Sequence, residues 1–168
     1  MESVVFEKFA VYKFSIDYPT VCRIEFNPKT RREAGDIVFH FPDREKVFLS
    51  WGDLQKAVKK FPTAQEQAEH SIGSVKKSGN VRNLQKISQD SLTINTHRAA
   101  LNRVKLEEIG PGFFSRRTVP HEAYSVHLHC NESSRYFAIY TMLSAQAPED
   151  FEELFMSMVN SFRCHLRP

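Results

Sequence analysis

The stretch from residue 135 to residue 162 places the strongest constraint on how this chain folds. Residues 135–143 carry apolar side chains at both odd and even positions, for example Ile139 and Tyr140. Because successive side chains of a strand point to opposite faces of a sheet, this pattern predicts a central strand that is covered on both sides. We expect Met142 and Leu143 to lie near the side of Ile139, with a slip in register at that point.

An amphipathic helix follows this strand. Its apolar residues have the spacing of a single helical face, and they are Phe151, Leu154, Phe155, Met158, Val159 and Phe162. Pro148 suits the first helical position, and the acidic residues that follow it suit the positive end of the helix dipole. We expect Arg163, His165 and Arg167 to serve the opposite end of this helix.

The rest of the chain alternates between strand and helix patterns. Apolar residues recur at every second position before residue 51 and again after residue 80, which is the period of strands. Thr63 and Glu66 form a capping-box pattern ahead of a helix at about residues 64–77, and residues 54–61 suit a short helix. The sum predicts an α+β fold, in which an antiparallel β-sheet is sandwiched between helices in an α/β/α arrangement.

The same periodicity sets the expected strand boundaries. We expect the first strand to begin at Tyr12 and to end at Pro19, and residues 81–89 and 92–95 to form two separate strands. No linker rich in Gly, Ser or Pro divides the 168 residues, so we expect one domain over residues 1–168.

Composition and charge exclude several classes of protein. Hydrophobic residues make up 41% and charged residues 26% of the chain, which is typical of a globular protein rather than a disordered one. The net charge of +3 is small and the basic pairs are scattered, so we expect no nucleic-acid surface. We find no apolar run long enough for a membrane span, no signal peptide, and too few cysteines for a disulfide framework. These observations predict a cytoplasmic protein with reduced thiols and no membrane contact.

The most suggestive group of polar side chains consists of His121, His127, His129 and Cys130. His127 and His129 lie on one face of a strand, about 7 Å apart, a spacing that can hold Zn²⁺ if a third ligand comes from elsewhere. His40 and His97 are candidates for that ligand, whereas Cys130 points to the opposite face. We favour a simpler interpretation, in which these histidines are polar residues of a half-covered sheet face, and we expect no metal and no cofactor.

Motifs for catalysis are missing from the sequence. It contains no glycine-rich phosphate loop, no HExxH pattern and no GxSxG nucleophile elbow. Cys22 and Cys130 alternate with apolar neighbours, which favours buried structural thiols over nucleophiles. We therefore expect a protein that is not an enzyme, with a hydrolase-like site assembled from distant residues as the weakest alternative.

Two pairs of residues near the centre of the chain are candidates for contacts with a partner. Arg116 and Arg117 form a basic pair in a loop before His121, and we select them as partner-binding residues. Phe113 and Phe114 could form an exposed apolar tip, although the start of a strand in the core is the preferred interpretation.

Several segments resemble PsbP-like proteins, and they are residues 12–19, 51–77, 93–99, 135–140 and 151–162. Together they cover most of the chain, although Thr96 stands where the family pattern leads us to expect Gly. The resemblance implies an antiparallel sheet between helices, a fold shared with a Ran-binding nuclear-import factor, and a member of the prokaryotic type. Because known members act by binding partners, it implies partner binding and supplies no catalytic residue.

The sequence thus favours a non-enzymatic binding or scaffold module. We expect it to engage a protein partner through a sheet face or through loops. The alternative is a metal-binding or small-ligand-binding protein that uses His127 and His129. Neither the partner nor the oligomeric state follows from the sequence.

Overall fold

The main element of the fold is a seven-stranded antiparallel sheet. The structure is a computed structural model, and it describes residues 3–110 and 117–167. Along the sheet the strands are β3 (Arg23–Phe26), β4 (Gly35–His40), β5 (Lys46–Asp53), β9 (Arg135–Ser144), β8 (Thr118–Cys130), β7 (His97–Ile109) and β6 (Val81–Ile94). A separate hairpin consists of β1 (Phe6–Val11) and β2 (Phe14–Pro19). The helices of the described residues are α1 (Leu54–Lys60), α2 (Ala64–Lys77) and α3 (Phe151–Ser161).

One face of the sheet is covered over its central strands, and we call it the closed face. Strand β9 lies at the centre of the sheet, as predicted, and its odd-numbered side chains point to this face, where Phe137 packs edge-on against Phe162 at 5.0 Å between ring centroids. Helix α3 buries its apolar stripe here, and Phe155 and Met158 are 0% exposed. The β1–β2 hairpin adds Phe14, also 0% exposed. The closed face is therefore the hydrophobic core.

The opposite face is covered only in part, and we call it the open face. Helix α2 lies over β6, β7 and β8, while α1 contacts β5 and β9 at one end. Where neither helix lies over β9, the even-numbered side chains of Tyr140 and Met142 reach solvent and are 39% and 42% exposed. The expectation that this strand is covered on both sides is therefore met on one side alone. Met142 lies beside Tyr140 rather than near Ile139, because β9 pairs with β8 in unbroken register.

A local sequence signal accounts for the start of α2. The Thr63 hydroxyl accepts a hydrogen bond from the Glu66 N–H, and the Glu66 carboxylate accepts one from the Thr63 N–H, each at 3.2 Å. The predicted capping box is confirmed, and it satisfies two of the N–H groups that a helix leaves unpaired at its first turn.

Two predictions of strand boundaries need correction. Tyr12 lies in the tight β1–β2 turn with φ 49° instead of opening a strand, and β1 was not anticipated. Residues 81–94 form one continuous strand with register shifts rather than two strands, because bulges absorb the break in periodicity.

Thr96 has φ 72°, the left-handed region that favours Gly, which explains why the PsbP-like pattern has Gly there. None of the described helices is both long and apolar enough to cross a membrane.

Candidate functional site

An apolar groove runs along the open face between α2 and the centre of the sheet. It encloses about 550 Å³, and its lining includes Phe48, Val75, Leu84, Val104, Tyr140 and Met142. Phe48 and Tyr140 are cross-strand neighbours, and their rings stack at 4.9 Å with an interplanar angle of 7°. This aromatic pair forms a rigid floor on the part of the sheet that neither helix covers.

The groove is a candidate binding site because its apolar side chains are exposed next to each other. Val75 on α2 is 39% exposed, which is comparable to Tyr140 and Met142 on the strand that faces it. A single exposed apolar side chain is ordinary on a protein surface, but a continuous apolar patch often marks an interaction site. Met142 adds a flexible side chain that can adapt to the shape of a ligand.

His127 and His129 lie beneath α2, and His127 lines the inner wall of this groove. His127 Nε2 is 3.3 Å from the Ser71 hydroxyl, and His129 Nε2 is 2.6 Å from the Gln67 side-chain oxygen. Burial, followed by the nearby His129, lowers the pKa of His127 to about 4, and burial also lowers the pKa of His129. Both rings are thus placed on the half-covered face, where α2 provides hydrogen-bond partners for them.

The other histidines considered as ligands lie away from this pair. His121 is six residues along the same strand, about 20 Å away, and contacts Glu108 at 3.0 Å. His40 on β4 contacts Glu25 at 2.9 Å. Strand β4 lies three strand spacings, or about 14 Å, from β8. His97 lies on the opposite face, because the β7–β8 register aligns it with Cys130. The geometry therefore does not favour the metal-binding alternative at His127 and His129.

A second group of polar side chains lies at the edge of the closed face. His97, Cys130, Cys164 and His165 bring one potential ligand atom each to within 4.8 Å of all the others. Both cysteines are fully buried. The pKa of the Cys130 thiol is lowered because the Cys164 thiol donates a hydrogen bond to it, with further contributions from Ser133 and His165.

Sequence reasoning missed this group. It treated Cys130 as an inert buried thiol and assigned His165 to the end of α3, whereas the His165 ring faces Cys130 Sγ at 3.5 Å. The adjacent pair Cys164-His165 was the available signal, since cysteine and histidine are the usual protein ligands of zinc. The three-dimensional register of β7 and β8 was needed to add His97.

The basic pair selected as a partner contact lies at the limit of the described residues. Arg117 is exposed just before β8, and its carbonyl accepts a hydrogen bond from the Gly110 N–H at 2.9 Å. Arg116, Phe113 and Phe114 fall outside the described residues, so the role assigned to Arg116 and Arg117 stays a prediction.

Comparison with known proteins gives similarity in structure alone. No protein-family model matches the chain, and no curated protein matches it. A cyanobacterial PsbP, CyanoP from Synechocystis sp. PCC 6803, matches with a TM-score of 0.69 at 8% identity over 97% of this chain and 94% of its own. The Saccharomyces cerevisiae Ran-binding protein Mog1p matches with a TM-score of 0.58 at 9% identity, over 96% of each chain.

A third similar structure is PA94 from Pseudomonas aeruginosa, described as a protein of unknown function and putative regulator. It matches with a TM-score of 0.55 at 12% identity, over 97% of this chain and 98% of its own. At these identities the similarity establishes the fold and leaves function to be argued from the site. The three matches span almost the whole length of this chain and of each similar structure. This chain therefore has a PsbP-like fold.

Proposed function

We propose that this protein is a non-enzymatic binding module that receives an apolar helical segment of a partner protein in the groove of the open face. The observation that carries this proposal is the exposure of Tyr140 and Met142 at the centre of the sheet, at 39% and 42%. The solvated face of an antiparallel sheet commonly carries polar side chains, so large apolar side chains exposed next to each other on that face indicate a surface that a partner covers.

The choice of a helix as the occupant follows from the layer structure. A sheet face is stably covered by helices packed side by side, and here α2 covers β6, β7 and β8 while the part of β5 and β9 beyond α1 is open. A helix placed beside α2 would meet Phe48, Tyr140 and Met142 from below and Val75 from the side. An amphipathic helix laid into an apolar groove is a recurring mode of protein recognition.

The absence of catalysis is part of the same proposal. His127 lines the groove, but its pKa of about 4 is far from the neutral range in which a general base works best. The similarity to Mog1p, a Ran-binding protein, supports protein interaction as a use of this fold by analogy. A cytoplasmic location, and a contribution of Arg116 and Arg117 to partner binding, belong to this proposal as well.

A site-specific photo-crosslinker tests the proposal directly. The crosslinking amino acid is placed at position 142 in the groove and, as a matched control, at Val21, which is 64% exposed outside the groove. After illumination in native cells, we expect protein adducts at position 142 that are absent at position 21. The crosslinked residues of the partner are then mapped, and they should lie on the apolar side of a helix.

Binding of the mapped segment, made as a synthetic peptide, completes the test. Tyr140→Ala is expected to weaken its affinity by about tenfold or more, because a central aromatic anchor often contributes over 1 kcal/mol to an interface. Val21→Ala should leave the affinity unchanged. Equal adducts at both positions, or equal affinity for the two variants, would refute the groove as the binding site.

A further inference from the structure

The group of His97, Cys130, Cys164 and His165 is assembled from three parts of the chain that are distant in sequence. His97 begins β7 directly after a two-residue turn, and Cys130 ends β8 beside it. Cys164 and His165 follow α3, in a segment that contacts Asn95 of the β6–β7 turn and Cys130 at the end of β8. The local structure of these three segments does not by itself require two imidazoles and two thiols to lie at one point.

The distances within this group suit a single metal ion. Cys130 Sγ is 3.7 Å from His97 Nε2 and 3.5 Å from His165 Nδ1, while Cys164 Sγ is 3.4 Å from His165 Nδ1. Tetrahedral zinc with its usual bonds to sulfur and nitrogen separates those ligand atoms by about 3.5 Å. The side chains thus lie close to the positions that coordination requires.

We propose that His97, Cys130, Cys164 and His165 form a structural Cys₂His₂ metal site that binds Zn²⁺. Thiolate and imidazole ligands in tetrahedral arrangement select zinc over the harder cations Mg²⁺ and Ca²⁺. Both thiols lose their protons to solvent when the ion binds, and the two imidazoles ligate in neutral form. Four protein ligands leave no open position, so the ion would hold the fold together instead of activating water.

The surroundings of the four ligands fit this role. The Asn95 amide donates to Cys164 Sγ at 3.6 Å, the kind of outer contact that steadies a metal thiolate. Glu132 lies 3.0 Å from His97 Nε2, and its side chain, 50% exposed, can turn to solvent when that nitrogen binds the ion. The added negative charge of Glu132 near the site favours a cation.

A metal ion at this site would hold the segment after α3 to the sheet. Beyond α3 the backbone is held by paired hydrogen bonds between Arg163 and Ser15, and by the Leu166 N–H donating to the Lys13 carbonyl at 3.0 Å. A metal at Cys164 and His165 would fix this segment to β7 and β8 as well, and so join the β1–β2 hairpin to the sheet. This role is independent of partner binding on the open face.

Metal analysis of the full chain tests the inference. The protein is purified with a reductant and without chelators, and its zinc content is measured by mass spectrometry of the elements. We expect one equivalent of zinc per chain, lost in Cys164→Ser and kept in the matched variant Cys22→Ser, whose thiol lies outside the group. Zinc removal by a chelator should lower Tm by more than about 5 °C.

Two further measurements keep the test decisive if Cys164→Ser fails to fold. Apo wild-type protein titrated with Co²⁺ should develop the visible absorption of tetrahedral cobalt with thiolate ligands. Asn95→Gly keeps the left-handed backbone of that turn (φ 47°) and removes the amide, so it should fold and weaken zinc affinity by about tenfold.

The inference is overturned if reduced, folded wild-type protein takes up neither zinc nor cobalt, or if Cys22→Ser loses as much metal as Cys164→Ser. It is also overturned if the intact mass without reductant is lower by two hydrogen atoms and metal does not bind after reduction. That result would indicate a disulfide in place of the metal site.

Discussion

The closed and open faces of the sheet are made by the same strands yet are covered to different extents. On β9, Ile139 is 2% exposed and its neighbour Tyr140 is 39% exposed, although both are large and apolar. The difference comes from the helices, since α3 and the β1–β2 hairpin cover one side while α1 and α2 leave the middle of the other uncovered. Apolar side chains contribute to folding where a helix of the same chain meets them, and elsewhere they remain available to a partner.

The largest effect should come from a cavity in the closed face. Phe155→Ala removes a side chain that is 0% exposed between α3 and the sheet, and we expect it to lower the free energy of unfolding by about 3–5 kcal/mol. Urea denaturation followed by circular dichroism measures this loss. A cost below about 1 kcal/mol would mean that α3 is not the main cover of the core.

A pH-dependent loss of stability should follow from His127 beneath α2. Its pKa in the folded protein is about 4, below the usual 6.5. As the pH falls from 6.5 to 4, His127 is therefore protonated in the unfolded chain but stays neutral in the folded protein. Stability should therefore decrease between about pH 6.5 and pH 4, by roughly 3 kcal/mol from this residue.

The variant His127→Gln separates this contribution from that of other titrating groups. Its loss of stability between pH 7 and pH 4, measured by urea denaturation at each pH, should be smaller than that of wild type by the same amount. Identical pH profiles would indicate that water reaches His127, directly or through a movement of α2, and that α2 does not shield this residue from solvent.

A moderate effect is expected at the start of α2. Thr63→Ala removes the hydroxyl that accepts the Glu66 N–H and should cost about 1 kcal/mol. Thr63→Ser keeps the hydroxyl and should stay near wild type in thermal unfolding. If both variants were equally destabilised, the loss would come from packing of the Thr63 methyl group and not from the cap.

The smallest effect on stability should come from the open face itself. Met142→Gln replaces an apolar side chain that is 42% exposed, and the free energy of unfolding should change by less than about 0.5 kcal/mol. The same variant should lose a measurable part of the partner affinity proposed for the groove. Strong destabilisation would instead place Met142 in the core and remove the contrast between the two faces.

Much of the fold could be predicted because its signals are local. The spacing from Phe151 to Phe162 predicted α3, Thr63 and Glu66 predicted the start of α2, and the apolar run at 135–143 predicted the central strand. Strand boundaries were less accurate, since the turn at Tyr12 and the bulged course of β6 depend on backbone conformations that alternation does not reveal.

The candidate sites were harder to predict because each depends on residues that meet only in the folded chain. The His127 and His129 pair was found from its spacing, but the sequence could not tell that α2 would cover it with Ser71 and Gln67. The group around Cys130 needed the β7–β8 register and the path of the chain after α3.

The sequence by itself determined which side chains are apolar and with what period, and therefore the elements and the layered α+β fold. Tertiary structure alone decided which of the two apolar sides of β9 is core and which is surface, because that depends on where α2 and α3 come to lie. It also decided that Cys130 belongs with His97, Cys164 and His165. Periodicity encodes the direction of a side chain relative to its own strand, whereas its neighbours are set by packing between elements far apart in the chain.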